Sequence, residues 1–541
     1  MTRPITLADP SSHAPRPMRW RVHHWIAVVF ILITSVTVAW WSRAPEVSIG
    51  GDEATYIILS HSLDNARYND EFILGTPKHA KYPPGTAIWI ALIRRVAGPT
   101  LEAVRAANIV LLILTGLLLG DGIRRLTGPW LGVAGVALTA LNPVLLEYSG
   151  TALSETPFIF LATLAVWAAL AAEGRGAGRW LAVAILAALA SFLTRTIGFT
   201  VLAGIGVWLM LRQRWSHAIV CGVCSLMVMG GWFAYTAHAG STTIGSTYAE
   251  DLRQVATSGP GGRAGLMAQS TANAEEYLIR AMPRALGLPT IPGTIVDNLL
   301  WLVVLGVSTG VGLLVLTRRW PAIATYLLLS CGVLLIWPWP VERLLAPLVP
   351  AIAAAVLVGF DVVARPAGRK AQTLLPLALA LALCTSGLTR YVRHDQNHLC
   401  DRRDPYADTH CFFAEARSLV AAARWARDSL WDTAVIATAK PATVFWFSNH
   451  RTVPLKRLLA KESKTGTLDL KSHGVDLVLL SRVHPLERTA GRRLLERHCI
   501  DLEVLARIPR VTLLIGPRGR FAASPDACEA LADYAQEPSP P

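Results

Sequence analysis

The sequence predicts a mainly α fold: a polytopic transmembrane helical bundle of about 11–13 helices, with interfacial helices in the first outer loop and a small C-terminal α/β soluble domain. Three observations carry this expectation. The 541 residues are 52% hydrophobic and only 16% charged, with a mean hydropathy of +0.41, whereas soluble chains carry about a quarter charged residues. The apolar residues come in long runs, among them 25–41, 109–119 and 299–316, each bounded by Arg, Pro or Gly. Beyond residue 390 charges become frequent and no apolar run is long enough to cross a bilayer.

Crossing the hydrocarbon core takes about 20 helical residues, because every backbone polar group must be satisfied inside it. The net charge is +14. On a soluble protein that excess would point to nucleic acid. Here the arginines sit between apolar runs, so the charge reads as topology and as contact with the lipid bilayer, and no nucleic-acid partner is expected. The tail 1–24 is basic, but no small-residue cleavage site follows it, and the run after it is long enough to remain as a first span.

The basic clusters orient the chain. The N-terminal tail, Arg124/Arg125, Arg175/Arg179, Arg212/Arg214, Arg318/Arg319 and Arg365/Arg369/Lys370 are expected on the cytoplasmic side. The spans are then 25–42, 101–121, 129–143, 152–172, 179–193, 196–211, 216–237, 296–317, 321–338, 343–364 and 372–390. The apolar segment 83–97 is short and ends in Arg94 and Arg95. If it crossed, every later span would flip and four basic clusters would land outside, so it reads as an interfacial or half-inserted helix on the outer side. The membrane domain is 25–390. Its outer side holds the first loop 43–100, the turn 142–155 and the long loop 238–295, and the whole chain from 391 follows on that side.

The second domain, 391–525, alternates helix and strand. Helices are expected at 412–430 and 486–497, and strands at 433–438, 475–481 and 504–515. The tail 526–541, ending in prolines, reads as disordered. Four of the eight cysteines, Cys400, Cys411, Cys499 and Cys528, lie in this domain, where an oxidising compartment permits disulfides. Cys400 with Cys411 is the favoured pair among three pairings. His394, His398 and His410 crowd the same stretch but show no tight zinc spacing, so no metal site is assigned.

Chemistry-bearing residues gather on the outer side. Asp52 and Glu53 follow the first span, and taken alone an acidic pair is a solvated loop or a helix cap. In the same loop, His79 and Lys81 flank Tyr82-Pro83-Pro84, which launches a helix whose amino end favours an anion. Glu155 lies at a span end, a costly place for an unpartnered carboxylate. Arg195 and Arg343 are outward arginines that break the positive-inside pattern. The planar fork of each suits a phosphate, while snorkelling or a salt bridge, for Arg343 to Glu342, explains each of them singly. Together these acids and cations fit sugar transfer from a lipid phosphate: cations for the leaving phosphate and a carboxylate for the acceptor hydroxyl. No Walker-type loop is present. A transporter or flippase is the alternative, but most spans lack the central ionisable residues that such proteins use.

The Asp52-Glu53 pair with Tyr56 three residues beyond it, the Lys81-Tyr82-Pro83-Pro84 element, Ser154–Phe158 and Arg343–Pro350 together resemble the GT-C glycosyltransferase superfamily, with protein O-mannosyltransferases and the aminoarabinose transferases of lipid A as the nearest branches. The resemblance implies a multi-pass enzyme of the bacterial inner membrane, its amino end cytoplasmic and its C-terminal domain periplasmic. It implies inverting transfer from a polyprenyl-phosphate sugar to a glycan, lipid or protein hydroxyl. Asp52 is then the general base with Glu53 assisting. Lys81, Arg195 and Arg343 contact the donor phosphate, and Tyr56, His79, Tyr82 and Glu155 line the substrate. No cofactor or divalent metal is expected. The aminoarabinose branch has Lys directly before Pro, where this chain has Tyr82, with Lys81 one place earlier.

Overall fold

The computed structural model describes residues 19–174, 176–240, 263–288, 295–337, 342–394, 397–459, 470, 473–508, 512–519 and 527–536. Most of the expected tail 1–24, residues 241–262 and 289–294 of the long loop, and the last five residues lie outside the described residues.

Each expected span falls on a helix. Six described helices are long and apolar enough to cross a membrane: Val22–Trp41, Leu101–Leu126, Ala177–Thr194, Trp215–Ala239, Arg343–Val363 and Lys370–Leu399. A further candidate is the pair Pro129–Ala140 and Pro143–Ser149, bent by 54°. The bend follows from Asn142-Pro143: proline cannot continue the preceding ladder, and the Asn142 side chain caps the new helix by accepting from Val144 N and Leu145 N. Glu155–Ala171, Thr196–Leu211 and Pro321–Ile336 are shorter apolar helices.

The helix Gly85–Ala97 has 13 residues, about 20 Å of rise against a core of about 30 Å. It buries Thr86, Ala87, Ile90 and Ala91 and exposes Ile88, Leu92 and Val96 on the other face. Arg94 and Arg95 at its end both pair with Asp64. Within the expected long loop the described part includes the helix Arg263–Glu276. It is tied down by buried Asn273, whose amide donates to the carbonyls of Leu334, Leu335 and Trp337.

Close packing in the bundle relies on small residues. The helices Ile295–Arg319 and Val349–Val363 meet at Ser308/Gly312 and Ala355/Gly359. A Cβ on Gly359 would collide with the Ser308 carbonyl, and one on Gly312 with the Ala355 carbonyl. Between apolar helices in lipid, such backbone approach is the main source of attraction.

The C-terminal domain holds a five-stranded sheet, order β2-β1-β3-β5-β4, with β1 Ile436–Thr438, β2 Thr452–Pro454, β3 Leu477–Leu480, β4 Leu502–Ile508 and β5 Thr512–Pro517. β1 pairs parallel with β2 and β3, while β3–β5 and β4–β5 are antiparallel. Ile436, Leu477, Leu479 and Leu514 pack under the helix Ala414–Ser429. Ala437, Val478, Leu480, Leu513 and Ile515 face the opposite side, with Pro485–His498 and Ala527–Gln536. Both faces are covered, which is why the strands read as continuous apolar runs.

Three expectations change. The single strand expected over 504–515 is two antiparallel strands, β4 and β5. β2 is too short to show in the sequence. The tail expected as disordered from 526 contains the helix Ala527–Gln536, whose Ala527, Ala530, Leu531 and Tyr534 are buried at helical spacing. Cys499–Cys528 ties it to the domain, and Cys400–Cys411 is the second bridge.

The domain docks on the loop 43–100. Thr452 N donates to Phe72 O and Leu74 N to Thr452 O, so the loop extends the β2 edge. Tyr406 donates to Val47 O at 2.6 Å. Ala442 joins Tyr56, Phe72 and Tyr82 in one buried cluster.

Replacing Gly359 with Leu should cost about 2 kcal/mol or more, since the backbone cannot yield as a side chain does. Gly310→Leu, where a Cβ meets nothing within 4 Å, should leave the melting temperature in detergent within a few degrees of the parent. Equal melting of the two variants would refute the close crossing.

Candidate functional site

The helix Asp52–Ser62 begins after Gly51, whose φ of +94° favours glycine. Both acids fall in its first turn, where free N–H groups favour negative charge. Adjacent helical positions point about 100° apart, and the two acids therefore meet different surroundings. Glu53 is fully buried. Its Oε2 accepts from Ser48 N at 2.8 Å and its Oε1 from Ala152 N at 2.7 Å. Glu53 thus clips the first loop to the turn before Ser154, and both its oxygens are committed to backbone. Both contacts are to backbone and hold the loop in place.

Asp52 is different. Its side chain is 32% exposed, enough to meet a substrate. Oδ1 accepts from the Tyr82 hydroxyl at 2.7 Å and Oδ2 accepts from Arg343 Nη1. Burial opposes its ionisation, but the Arg343 guanidinium, the Tyr82 hydroxyl and Lys81 outweigh that and hold the carboxyl below the usual aspartate range.

Tyr82 is itself aimed. Its N–H donates to His79 Nε2 at 2.9 Å, so His79 Nδ1 carries the proton and donates to Asp70 Oδ1 at 2.6 Å. The Tyr68 hydroxyl donates to Tyr82 O at 2.9 Å, and the Tyr56 ring lies against that of Tyr82 with centroids 5.0 Å apart. His79 is buried and both its nitrogens are used. It orients Tyr82 rather than receiving an anion, and Tyr56 supports the same ring from its buried position.

Glu155 opens the helix Glu155–Ala171 and is wholly buried. Arg195, at the end of Ala177–Thr194, bonds its Oε1 and also donates to Ser154 Oγ at 3.2 Å. Arg343 reaches Glu155 through Nε to Oε1 and through Nη2 to Oε2 at 3.3 Å, while Nη1 holds Asp52. The structure therefore brings Asp52, Glu155, Arg195 and Arg343 into one cluster. Arg343 pairs with Asp52 and Glu155, while the side chain of its expected partner Glu342 lies outside the described residues. Both edges of its fork are occupied by carboxylates. Lys81 Nζ stands 5.4 Å over the Tyr82 ring, beside the cluster.

Two contributors went unread in the sequence. Asp70 orients His79, yet a lone loop Asp nine residues before a His carries no signal. Buried Arg105 donates to Glu46 O at 3.1 Å and pairs with Glu102, bracing the chain that leads to Asp52. Its place inside an apolar helix was the available hint. The His398 ring stacks on Trp41 with centroids 3.8 Å apart.

Glu155→Gln should destabilise by about 3 kcal/mol, because two buried guanidinium groups lose their shared counter-charge. Thermal unfolding in detergent measures this, and an unchanged midpoint would contradict the cluster. Asp52 is ionised above its depressed pKa, so any activity resting on its carboxylate should be flat from about pH 5 to 8 and fall only as pH drops through that value. Tyr82→Phe removes a hydrogen bond to the charged form and should shift the acidic limb upward.

The sequence model of the family described as dolichyl-phosphate-mannose-protein mannosyltransferase matches residues 81–233. No curated protein sequence matches the chain. Among solved structures, ArnT from Cupriavidus metallidurans bound to undecaprenyl phosphate is similar with a TM-score of 0.56 at 14% identity, over 91% of this chain and 98% of that one. The oligosaccharyltransferase AglB from Archaeoglobus fulgidus, in complex with an inhibitory peptide and a dolichol-phosphate, is similar with a TM-score of 0.52 at 13% identity, over 85% of this chain and 69% of that one. The chain thus shares its fold with ArnT and AglB, and its residues 81–233 carry the pattern of the dolichyl-phosphate-mannose-protein mannosyltransferase family model.

Proposed function

We propose that the chain transfers a sugar from a polyprenyl-phosphate donor to a hydroxyl of a glycan, lipid or protein acceptor at the outer face of the bacterial inner membrane, with inversion. In this topology the amino end is cytoplasmic and the α/β domain periplasmic. The observation that carries the reading is Asp52. It is a partly exposed carboxylate, held ionised between Tyr82 and Arg343 at one end of a lipid-facing bundle, with Lys81 beside it.

In the proposed reaction the acceptor hydroxyl gives its proton to Asp52 as its oxygen attacks the anomeric carbon. The bond from that carbon to the phosphate oxygen breaks, and the electron pair leaves with the polyprenyl phosphate. The leaving group gains a negative charge during the step. Cations placed where that charge develops stabilise the transition state more than the ground state. Lys81 is the first such cation. Arg343 and Arg195, committed to Glu155 and Asp52, contribute by field and by holding the base in place. The reading assigns no step to a divalent metal or cofactor. ArnT, a structure of similar fold, was solved with undecaprenyl phosphate bound, which is in keeping with a polyprenyl-phosphate ligand.

Asp52→Asn should lower sugar transfer by about 10²–10³-fold while undecaprenyl phosphate still binds. Chelation with EDTA should leave turnover unchanged. Transfer by the Asn variant at the parental rate would sink the assignment of the base.

A further inference from the structure

The Asp52–Glu155–Arg195–Arg343 cluster is electrically balanced, two carboxylates against two guanidinium groups. Two ammonium groups stand beside it and make no ion pair among the described residues. One is Lys81, over the ring of the tyrosine that holds Asp52. The other is Lys440, which comes from the α/β domain. Its Nζ donates to Gly50 O at 3.3 Å, two residues before Asp52, and it makes no described ion pair.

Lys440 reaches this place because of the sheet. It follows β1 directly and precedes the helix Pro441–Ser448. β1 and β3 are parallel neighbours, and the carboxyl end of adjacent parallel strands is where open α/β sheets bind ligands. That end faces the Gly50–Asp52 turn. Thr443 donates to Ile49 O at 3.5 Å, and Ala442 packs with Tyr56 and Tyr82, so the register of Lys440 against the turn is fixed by neighbours on both sides. Burial lowers the Lys440 pKa, Asp52 and Glu487 act to raise it, and Lys81 lowers it further. Two partly desolvated lysines that repel each other are a poor arrangement unless an anion joins them.

We propose that Lys440 is, with Lys81, a ligand of the carrier phosphate, so that the appended α/β domain completes the donor site. This rests on the function proposed above. The phosphate goes from one negative charge in the donor toward two in the product, and the balanced cluster leaves only the lysines to meet it. An acidic acceptor group is the other anion that this chemistry would hold.

The test is equilibrium binding of undecaprenyl phosphate, and separately of undecaprenol, to the full-length protein in detergent. The parent should bind the phosphate well above the alcohol. Lys440→Gln keeps a donor for Gly50 O but loses the charge. It should weaken undecaprenyl phosphate binding about tenfold and leave undecaprenol unchanged. Lys440→Arg should restore most of the loss. Parental affinity for undecaprenyl phosphate in a folded Gln variant would overturn the proposal while leaving the donor class intact. Equal loss for phosphate and alcohol would also overturn it, as a structural role does. A parent that does not distinguish phosphate from alcohol would overturn the functional reading itself.

Discussion

A carboxylate with no access to water is the constraint around which this site is built. Glu155 sits at the first turn of an apolar helix with none of its side chain exposed. A lone charge there costs several kcal/mol unless it is paired and hydrogen-bonded. Arg195 and Arg343 provide the pairing from two other helix ends, and Arg343 then has one nitrogen left for Asp52. One buried charge thereby ties three helix ends of the bundle to the loop 43–100. The position of Asp52 is set by that requirement as much as by its own helix.

Around Asp52, the neighbouring acids and the histidine have separate duties, and backbone demand decides which. The loop needs acceptors for Ser48 N and Ala152 N, and Glu53 supplies both. Tyr82 needs its backbone N–H satisfied in a buried turn, and His79, oriented by Asp70, supplies that. Asp52 differs from them in that its oxygens meet a hydroxyl and a guanidinium rather than amides.

The α/β domain is part of this support. It covers the first loop through an added strand contact at Phe72–Leu74 and through Tyr406 on Val47 O. Two disulfides hold its ends, including the helix Ala527–Gln536. A domain that served only to stabilise itself would not need its parallel-strand ends turned toward Gly50 and Asp52.

The sequence by itself determined the membrane class, the positions of the long apolar helices and the candidacy of Asp52, Glu155, Arg195 and Arg343. Those properties follow from composition and from local runs: a bilayer demands long apolar stretches, and a stranded charge such as Glu155 or Arg343 stands out against them. The extra helix Ala527–Gln536 was readable too, at the spacing of Ala527, Ala530, Leu531 and Tyr534, but the prolines beyond it hid the signal. Only the tertiary structure decided which of two adjacent acids faces solvent, that Arg343 spans two carboxylates, and that Lys440, nearly four hundred residues away in the chain, lies beside Asp52. Those outcomes rest on long-range contacts and on competition for backbone hydrogen bonds, neither of which leaves a periodic trace in a single sequence.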